Sequence, residues 1–454
     1  SLVVAPGGPA SANPNSTSDV VAYLVEGTGD GHGRGMSQWG AYGWAVDEGW
    51  SWEQILDHYY GGTELGSVDV ARRISVRLTE WDGSAVFGVI STTSSARWSS
   101  PSHSASTAHP AIRIVESAPN SFTISVAAAP QCIGASTLTV PDGPVAYGST
   151  ADDEVERIQT FLTAVGFDPR GIDGNFGPLT ESAVRAFQIA NGLPTDGIWD
   201  IADATAARVI IGNSTSDEGW TEVASGVPGP VVLTTDVGES SAAPGDVLGL
   251  CEASGRIVHY RGSLRFLHTD VGNRVVNDVG LEDYLRGVVP REVSPSWGAR
   301  GHGRRLTALR APAVAAPGYG PEQSRHRYAQ TRHTMACQVY GGSASRANVD
   351  AGPQSVEASQ TDRAIADTAG RVRVWAAGNA HGIAPGTIAS TEFSASNGPQ
   401  TAGGAFPSIA DPADATALNP SHRWTRVISV AALRSAYGGA EPSRVTTVLD
   451  PASP

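Results

Sequence analysis

The sequence predicts an α+β protein: a mixed domain assembled from two chain segments, with a small three-helix all-α domain inserted between them. Three observations carry this reading. Apolar and polar residues alternate in short runs at residues 72–130 and again from 230 to 279. Between these regions, residues 149–212 switch to the spacing of amphipathic helices. Beyond Leu281, helical and strand patterns mix. The 454 residues suffice for two or three domains. A net charge of -14 and a pI near 5.2 argue against a nucleic-acid binder. No apolar run reaches the roughly 18 residues that a membrane-spanning helix needs.

Taken in order, residues 1–19 are a polar tail whose Pro-rich opening after Ser1 reads either as a mature N-terminus or as an artificial boundary of the chain; a secreted protein is expected. Residues 20–148 form the first segment. It begins with a glycine-rich stretch and a helix in "SWEQILDHYYGGTEL". Ser51 is placed to cap that helix, Ile55, Leu56 and Tyr59 share a face, and Gly61-Gly62 ends it. Strands are expected in "RISVRLTEW", "AVFGVIST", "IRIVES" and "SFTISVAAA". In the insert, 149–212, Ile158, Phe161, Leu162 and Val165 form one helical stripe, and Val184, Phe187 and Gln188 belong to a second. Thr180 is the expected N-cap, and "DGNFGP" and "TDGIWD" carry turn chemistry. Residues 213–229 read as a polar linker. The second segment, 230–440, has strand patterns in "VVLTTD", "VLGLCEA", "RIVHYRGSLRFLHT" and "NRVVNDV", helices from Leu281 to about Ala316, then a helix in "DRAIADTAG" and a strand in "RVRVWAA". Residues 441–454 are a tail.

Three cysteines, Cys132, Cys251 and Cys337, allow at most one internal disulfide. Cys132 and Cys251 follow strand patterns that flank the insert, so their bridge is available, although spacing alone does not establish it.

Two stretches carry chemistry. "GHGRGMSQWGAYGWA", residues 31–45, concentrates glycines with His32, Ser37, Gln38, Trp39, Tyr42 and Trp44. A phosphate loop would want a lysine, and the chain contains none. A metal site would want several ligands at set spacing, and His32 has only Asp30 beside it. Glycines admit close approach of a ligand to the backbone, neutral polar groups supply hydrogen bonds, and aromatic rings supply flat faces. That inventory suits a carbohydrate groove. It also fits a glycine-rich turn feeding a helix whose aromatics enter the core. In "VNDVGLEDYLRGVVPREVSPSWG", residues 276–298, Glu292 follows Pro290 among Val288, Val289, Val293 and Trp297. Apolar neighbours disfavour a charged carboxyl and suit a general acid acting on a glycosidic oxygen; a surface helix position is the plainer alternative. Glu282 and Asp283 read as carboxylates placed at a helix N-terminus. His326, His333 and Cys337 could gather around zinc, but a structural turn with a buried thiol is the preferred reading. No metal and no cofactor are expected.

These stretches resemble the SpoIID/LytB family of peptidoglycan proteins. The matching pieces are "GHGRGMSQWGAYGWA" with "ILDHYYGGTEL", then "YRGSLR" through "VVPREVSPSWG", then "CQVYGG" and "FSASNGPQT". Residues 154–205 resemble a separate family, the three-helix peptidoglycan-binding module, through "IDGNFGPLTESAVRAFQ" and "TDGIWD". The resemblance implies a lytic transglycosylase that cuts MurNAc–GlcNAc linkages of glycan strands lacking stem peptides and leaves 1,6-anhydro ends. Glu292 would be the catalytic acid. His32, Ser37, Gln38, Tyr42, Gln338, Tyr340, Ser394, Ser396 and Asn397 would contact substrate, and Asp173, Gly174 and Phe176 would line the module's groove. The implied partners are peptidoglycan glycan strands and a cell-wall amidase, and the implied location is the cell wall.

The chain departs from the family in three ways. The glycine motif precedes the glutamate motif, with the module between them, a permuted order. Pro312 and Pro317 occupy helical positions where the family places Gln and Arg, and with Gly318 and Gly320 they are expected to break or kink the helix. Arg332 replaces the first cysteine of a Cys-x4-Cys loop. These losses support an alternative, a catalytically impaired wall-binding protein or amidase enhancer.

Overall fold

The structure, a computed structural model, describes residues 2–4, 22–93, 95–133, 140–149, 152–212, 218–236, 242–269, 272–298, 304–319, 327–334, 337–377 and 383–430. The described helices are α1 (Gln38–Val46), α2 (Trp52–Tyr59), α3 (Asp152–Ala164), α4 (Pro178–Asn191), α5 (Ile201–Gly212), α6 (Leu281–Glu292), α7 (Arg304–Tyr319) and α8 (Ser359–Asp367). The chain divides into two compact units. One comprises Ser1–Asp69, Glu292–Glu322 and Ser359–Pro454; the other comprises Val70–Arg291 and Gln323–Ala358. α6 carries the chain from the second unit into the first, with Glu292 as its last residue.

The second unit is built on two large sheets. The first orders its strands as Thr221–Pro228, Ser121–Ala127, Ala111–Ala118, Val86–Ile90, Leu248–Cys251, Ile257–Tyr260, Ala344–Arg346 and Gln354–Ser355, all antiparallel. The other runs Thr331–Arg332, Arg73–Arg77, Gly272–Gly280, Ser263–Thr269, Val231–Thr235, Ala96–Ser100 and His103–Ser104, with only its first pair parallel. Their inner faces meet where Phe87 packs on Phe266 at 5.0 Å. Strands from both sides of the insert pair with each other: Val231–Thr235 with Ala96–Ser100, and Gly272–Gly280 with Arg73–Arg77. The two chain segments thus close into one mixed fold across the inserted helices. A Cys132–Cys251 disulfide ties the same two segments. Thr221–Pro228, expected within the linker, is instead an edge strand on Ser121–Ala127; its exposed, polar residues hide the pattern because one face looks to solvent.

The module's three helices enclose their own core. Ile158, Phe161, Leu162, Val184 and Phe187 are fully buried, and Trp199 packs on Phe161 and Phe187. One device appears twice. Gln159 of α3 donates to Asp173 Oδ1 (2.8 Å) and accepts from the N–H groups of Asp173 and Gly174. Gln188 of α4 likewise donates to Asp196 Oδ1 (3.1 Å) and accepts from the Gly197 N–H. Each Asp-Gly turn is thereby closed by a buried amide one helix earlier. Thr180 is not the cap of α4: Gly177 takes that place with Pro178 at the first helical position, and Thr180 sits one turn in, buried, accepting from Gln159. The module is fastened to the sheet by charge. Asp153 of α3 pairs with the buried Arg77 (2.7 Å) and Arg274 (3.1 Å), and Arg332 pairs with Glu156 (3.4 Å).

In the first unit, α7 is the central helix. Ala308, Leu309, Ala311, Val314 and Ala315 are fully buried, and α1, α2, α8 and the strand Arg371–Trp375 pack around it. Pro312 and Pro317 lie inside this helix and do not break it, contrary to expectation. Each proline removes one backbone hydrogen bond and costs about 3 kcal/mol in an exposed helix. Here the burial of an alanine-rich surface on all sides outweighs that cost. α2 has the capping box its sequence promised: Ser51 Oγ accepts from the Gln54 N–H, and the Gln54 side chain accepts from the Ser51 N–H.

Candidate functional site

The glycine-rich stretch and "FSASNGPQT" fold against each other. Met36–Ser37 pairs in parallel with Phe393–Ser394, Asp30 bridges Ser396, and Arg34 bridges Ala402. Gly35 shows why glycine is needed. Its φ is +66°, and a Cβ there would lie 2.0 Å from the Glu392 carbonyl oxygen. Arg34 closes the contact with an ion pair to Glu392 at 3.0 Å.

His32 is half-buried beside this seam. Its Nδ1 accepts from the Arg34 N–H (3.0 Å) and lies 3.3 Å from Ser394 Oγ, which puts the ring proton of the neutral form on Nε2. Burial, with help from the Arg34 charge, lowers its pKa, while Glu392 opposes the shift.

Ser37 caps α1. Its hydroxyl accepts from the Gly40 N–H (2.8 Å) and donates to Asp414 Oδ1 (2.5 Å). That cap presents Gln38 at the first helical position, where Gln38 Nε2 donates to Glu292 Oε2 at 3.4 Å. Gln38 and Glu292 are both partly exposed. Beside them Trp297 contacts Trp39 and Tyr42, each with ring centroids 5.0 Å away, forming an aromatic wall.

Beneath the seam lies a buried acidic centre that sequence reading did not single out. Asp414 accepts from Ser37, from Ser396 Oγ (2.7 Å) and from the Asn397 N–H (3.1 Å), and pairs with His422 at 2.9 Å. Asp411 accepts from Tyr59 Oη at 2.7 Å. Burial, reinforced by the nearby charge of Asp414, pushes the Asp411 carboxyl up to about 7 although the Tyr59 hydroxyl opposes the shift. The one sequence hint was the Asp-Pro pair at 411–412, a turn signal without chemistry of its own.

The expected substrate contacts therefore divide. His32 and Gln38 offer surface. Ser37, Tyr42, Ser394, Ser396 and Asn397 are at most 7% exposed, and Ser37, Ser396 and Asn397 join the loops by hydrogen bonds. Gln338 and Tyr340 belong to the other unit and are also buried: Gln338 Oε1 accepts from Tyr284 Oη, and Tyr340 Oη donates to Asn277. In the module, Asp173 is exposed, Gly174 takes φ +74° in its turn, and Phe176 lies in the hydrophobic core. His333 is held near Glu80 (3.7 Å), Cys337 is a buried thiol outside the disulfide, and His326 lies outside the described residues. Among the described residues no cluster could hold a metal ion, and no helix is long and apolar enough to cross a membrane.

Residues 269–375 match the family described as stage II sporulation protein, SpoIID, and residues 151–205 match a peptidoglycan-binding domain family. The chain carries a SpoIID segment and a peptidoglycan-binding domain. Both point to the peptidoglycan of the cell wall. An uncharacterised protein of Brachyspira hyodysenteriae is 42% identical over 62 residues, 14% of this chain and 15% of that protein's length. A crystal structure of a peptidoglycan-binding protein from Clostridioides difficile, in complex with glutamine hydroxamate, aligns at 19% identity over 30% of this chain and all of that one. Its TM-score of 0.16 carries no argument about fold.

Proposed function

We propose that the chain is a peptidoglycan lytic transglycosylase with Glu292 as its single acid and base, tethered to the wall by its module. The observation that carries this reading is the contact between Gln38 and Glu292. Two stretches 254 residues apart supply one carboxyl and one amide that orients it. Ordinary glycosidases need a second carboxylate to manage water or act as nucleophile. A lytic cleavage does not. Glu292 protonates the glycosidic oxygen as the C1–O bond breaks; the sugar's own C6 hydroxyl then attacks C1 and returns its proton to Glu292, closing the anhydro ring.

The experiment is digestion of stem-free glycan strands, with mass spectrometry of the ends. The wild-type chain should release 1,6-anhydro ends, and Glu292→Gln should lower the rate by about 10²–10⁴-fold. Wall binding without anhydro ends from the wild type would instead favour a binding protein or an amidase enhancer. Of the two features that motivate that alternative, the helix carrying Pro312 and Pro317 is continuous, while Arg332 still stands where the family has a cysteine.

A further inference from the structure

The glycine-rich stretch lines a second cleft that the catalytic reading does not use. Its walls are Asp30 and Gly31 on one side and Ser421, Trp424 and Arg426 on the other, around about 580 Å³ of space. The strand Trp424–Ser429 pairs with Ala22–Gly27, placing Trp424 opposite Gly27. That glycine is a cradle: a Cβ there would lie 2.2 Å from the Trp424 ring. The indole is also pinned at its edge, since Nε1 donates to the Gly29 carbonyl at 2.9 Å. Trp424 is thus a fixed, partly exposed aromatic plate. Arg426, two residues along the strand, projects from the same face. Arg426 and Asp30 are exposed, and neither has an ion-pair partner among the described residues.

We propose that this cleft is a subsite for an acidic pyranose of the glycan strand. Trp424 stacks on the apolar face of the ring, Asp30 accepts from hydroxyl or amide N–H groups, and Arg426 pairs with the free lactyl carboxylate of a MurNAc that lacks its stem peptide. The inference rests on the proposed function for its choice of substrate. Continuity of the chain supports it: the glycine-rich stretch lines the cleft with Asp30 and Gly31 and reaches Glu292 through Gln38. An unsubstituted lactyl group is what distinguishes stem-free strands from peptide-bearing ones, so this subsite gives the enzyme a means of selecting them.

The test is calorimetric titration of the full chain in the Glu292→Gln background, which prevents turnover. The ligands are a stem-free GlcNAc–MurNAc tetrasaccharide, the GlcNAc tetrasaccharide of chitin, and a free stem tetrapeptide. Trp424→Ala should weaken the MurNAc-containing ligand by about tenfold or more, and Trp424→Phe should retain most of the affinity. Arg426→Ala lies on an exposed strand position and leaves the fold intact even if Trp424→Ala does not. It should weaken the MurNAc ligand about tenfold while changing chitin binding by less than about twofold. Equal affinities in wild type and Arg426→Ala, loss of both sugars in parallel, no measurable sugar binding, or peptide binding that depends on Arg426 would each overturn the proposal. Release of anhydro ends by the wild type is scored separately. Ends released with Arg426→Ala binding unchanged would remove the subsite alone. No ends, with the Arg426 effect present, would remove the catalytic reading alone.

Discussion

Asp411 is a carboxylate whose chemistry is set by its burial. It has no water contact, a tyrosine hydroxyl as donor and a second carboxylate close by, so its neutral form is favoured up to about pH 7 in the folded chain. In the unfolded chain it ionises near 3.8. Between these values the unfolded state gives up a proton that the folded state keeps. The stability this group contributes is therefore full below about pH 4 and lost as pH rises through 7. The melting temperature of Asp411→Asn should vary less than that of wild type from pH 5 to pH 8; parallel profiles would mean that Asp411 is already ionised in the fold. Because Asp411 and Asp414 lie under the seam that presents Gln38, loosening there should also reach the site. Ser37, Ser396 and Asn397 carry the same lesson. Their hydroxyl and amide N–H groups bond to Asp414, to the neighbouring loop and to the α1 cap, so in the fold they position the seam that presents Gln38.

At the scale of elements, α7 is the instructive case. Its two prolines forbid the backbone bonds to the carbonyls of Ala308 and Ala313, yet the helix continues because small residues let four neighbouring elements pack closely against it. Pro312→Ala should restore one of these bonds and raise the stability of the fold, by up to about 3 kcal/mol, read as an increased midpoint in urea. An unchanged midpoint would mean the Ala308 carbonyl is already satisfied. The module shows the opposite economy. Its Asp-Gly turns are closed by Gln159 and Gln188, so the residues that looked like ligand contacts in "DGNFGP" first serve to join helices.

At the scale of the molecule, the insert interrupts a fold that both flanks must complete. Cys132 and Cys251 stand 119 residues apart and bracket the module, so their bridge shortens the loop that the unfolded chain must close. Replacing both by serine should cost about 2–4 kcal/mol in chemical denaturation, with the loss in the second unit's transition. A smaller change would indicate that the strand pairing Val86–Ile90 with Leu248–Cys251 and the Asp153 ion pairs already hold the flanks together.

The sequence by itself determined the alternating strands on both flanks, the Ser51 cap, the aromatic core of the module and the two cell-wall motifs. All of these are written in neighbouring residues, where periodicity, capping and turn chemistry act over a few positions. The tertiary structure decided what depends on partners far along the chain. It set Gln38 on Glu292, buried most of the expected substrate contacts, turned part of the expected linker into a strand, kept α7 whole and fixed Trp424 above Gly27. Burial and long-range pairing decide whether a polar side chain meets a ligand or its own fold, and neither has a local signature.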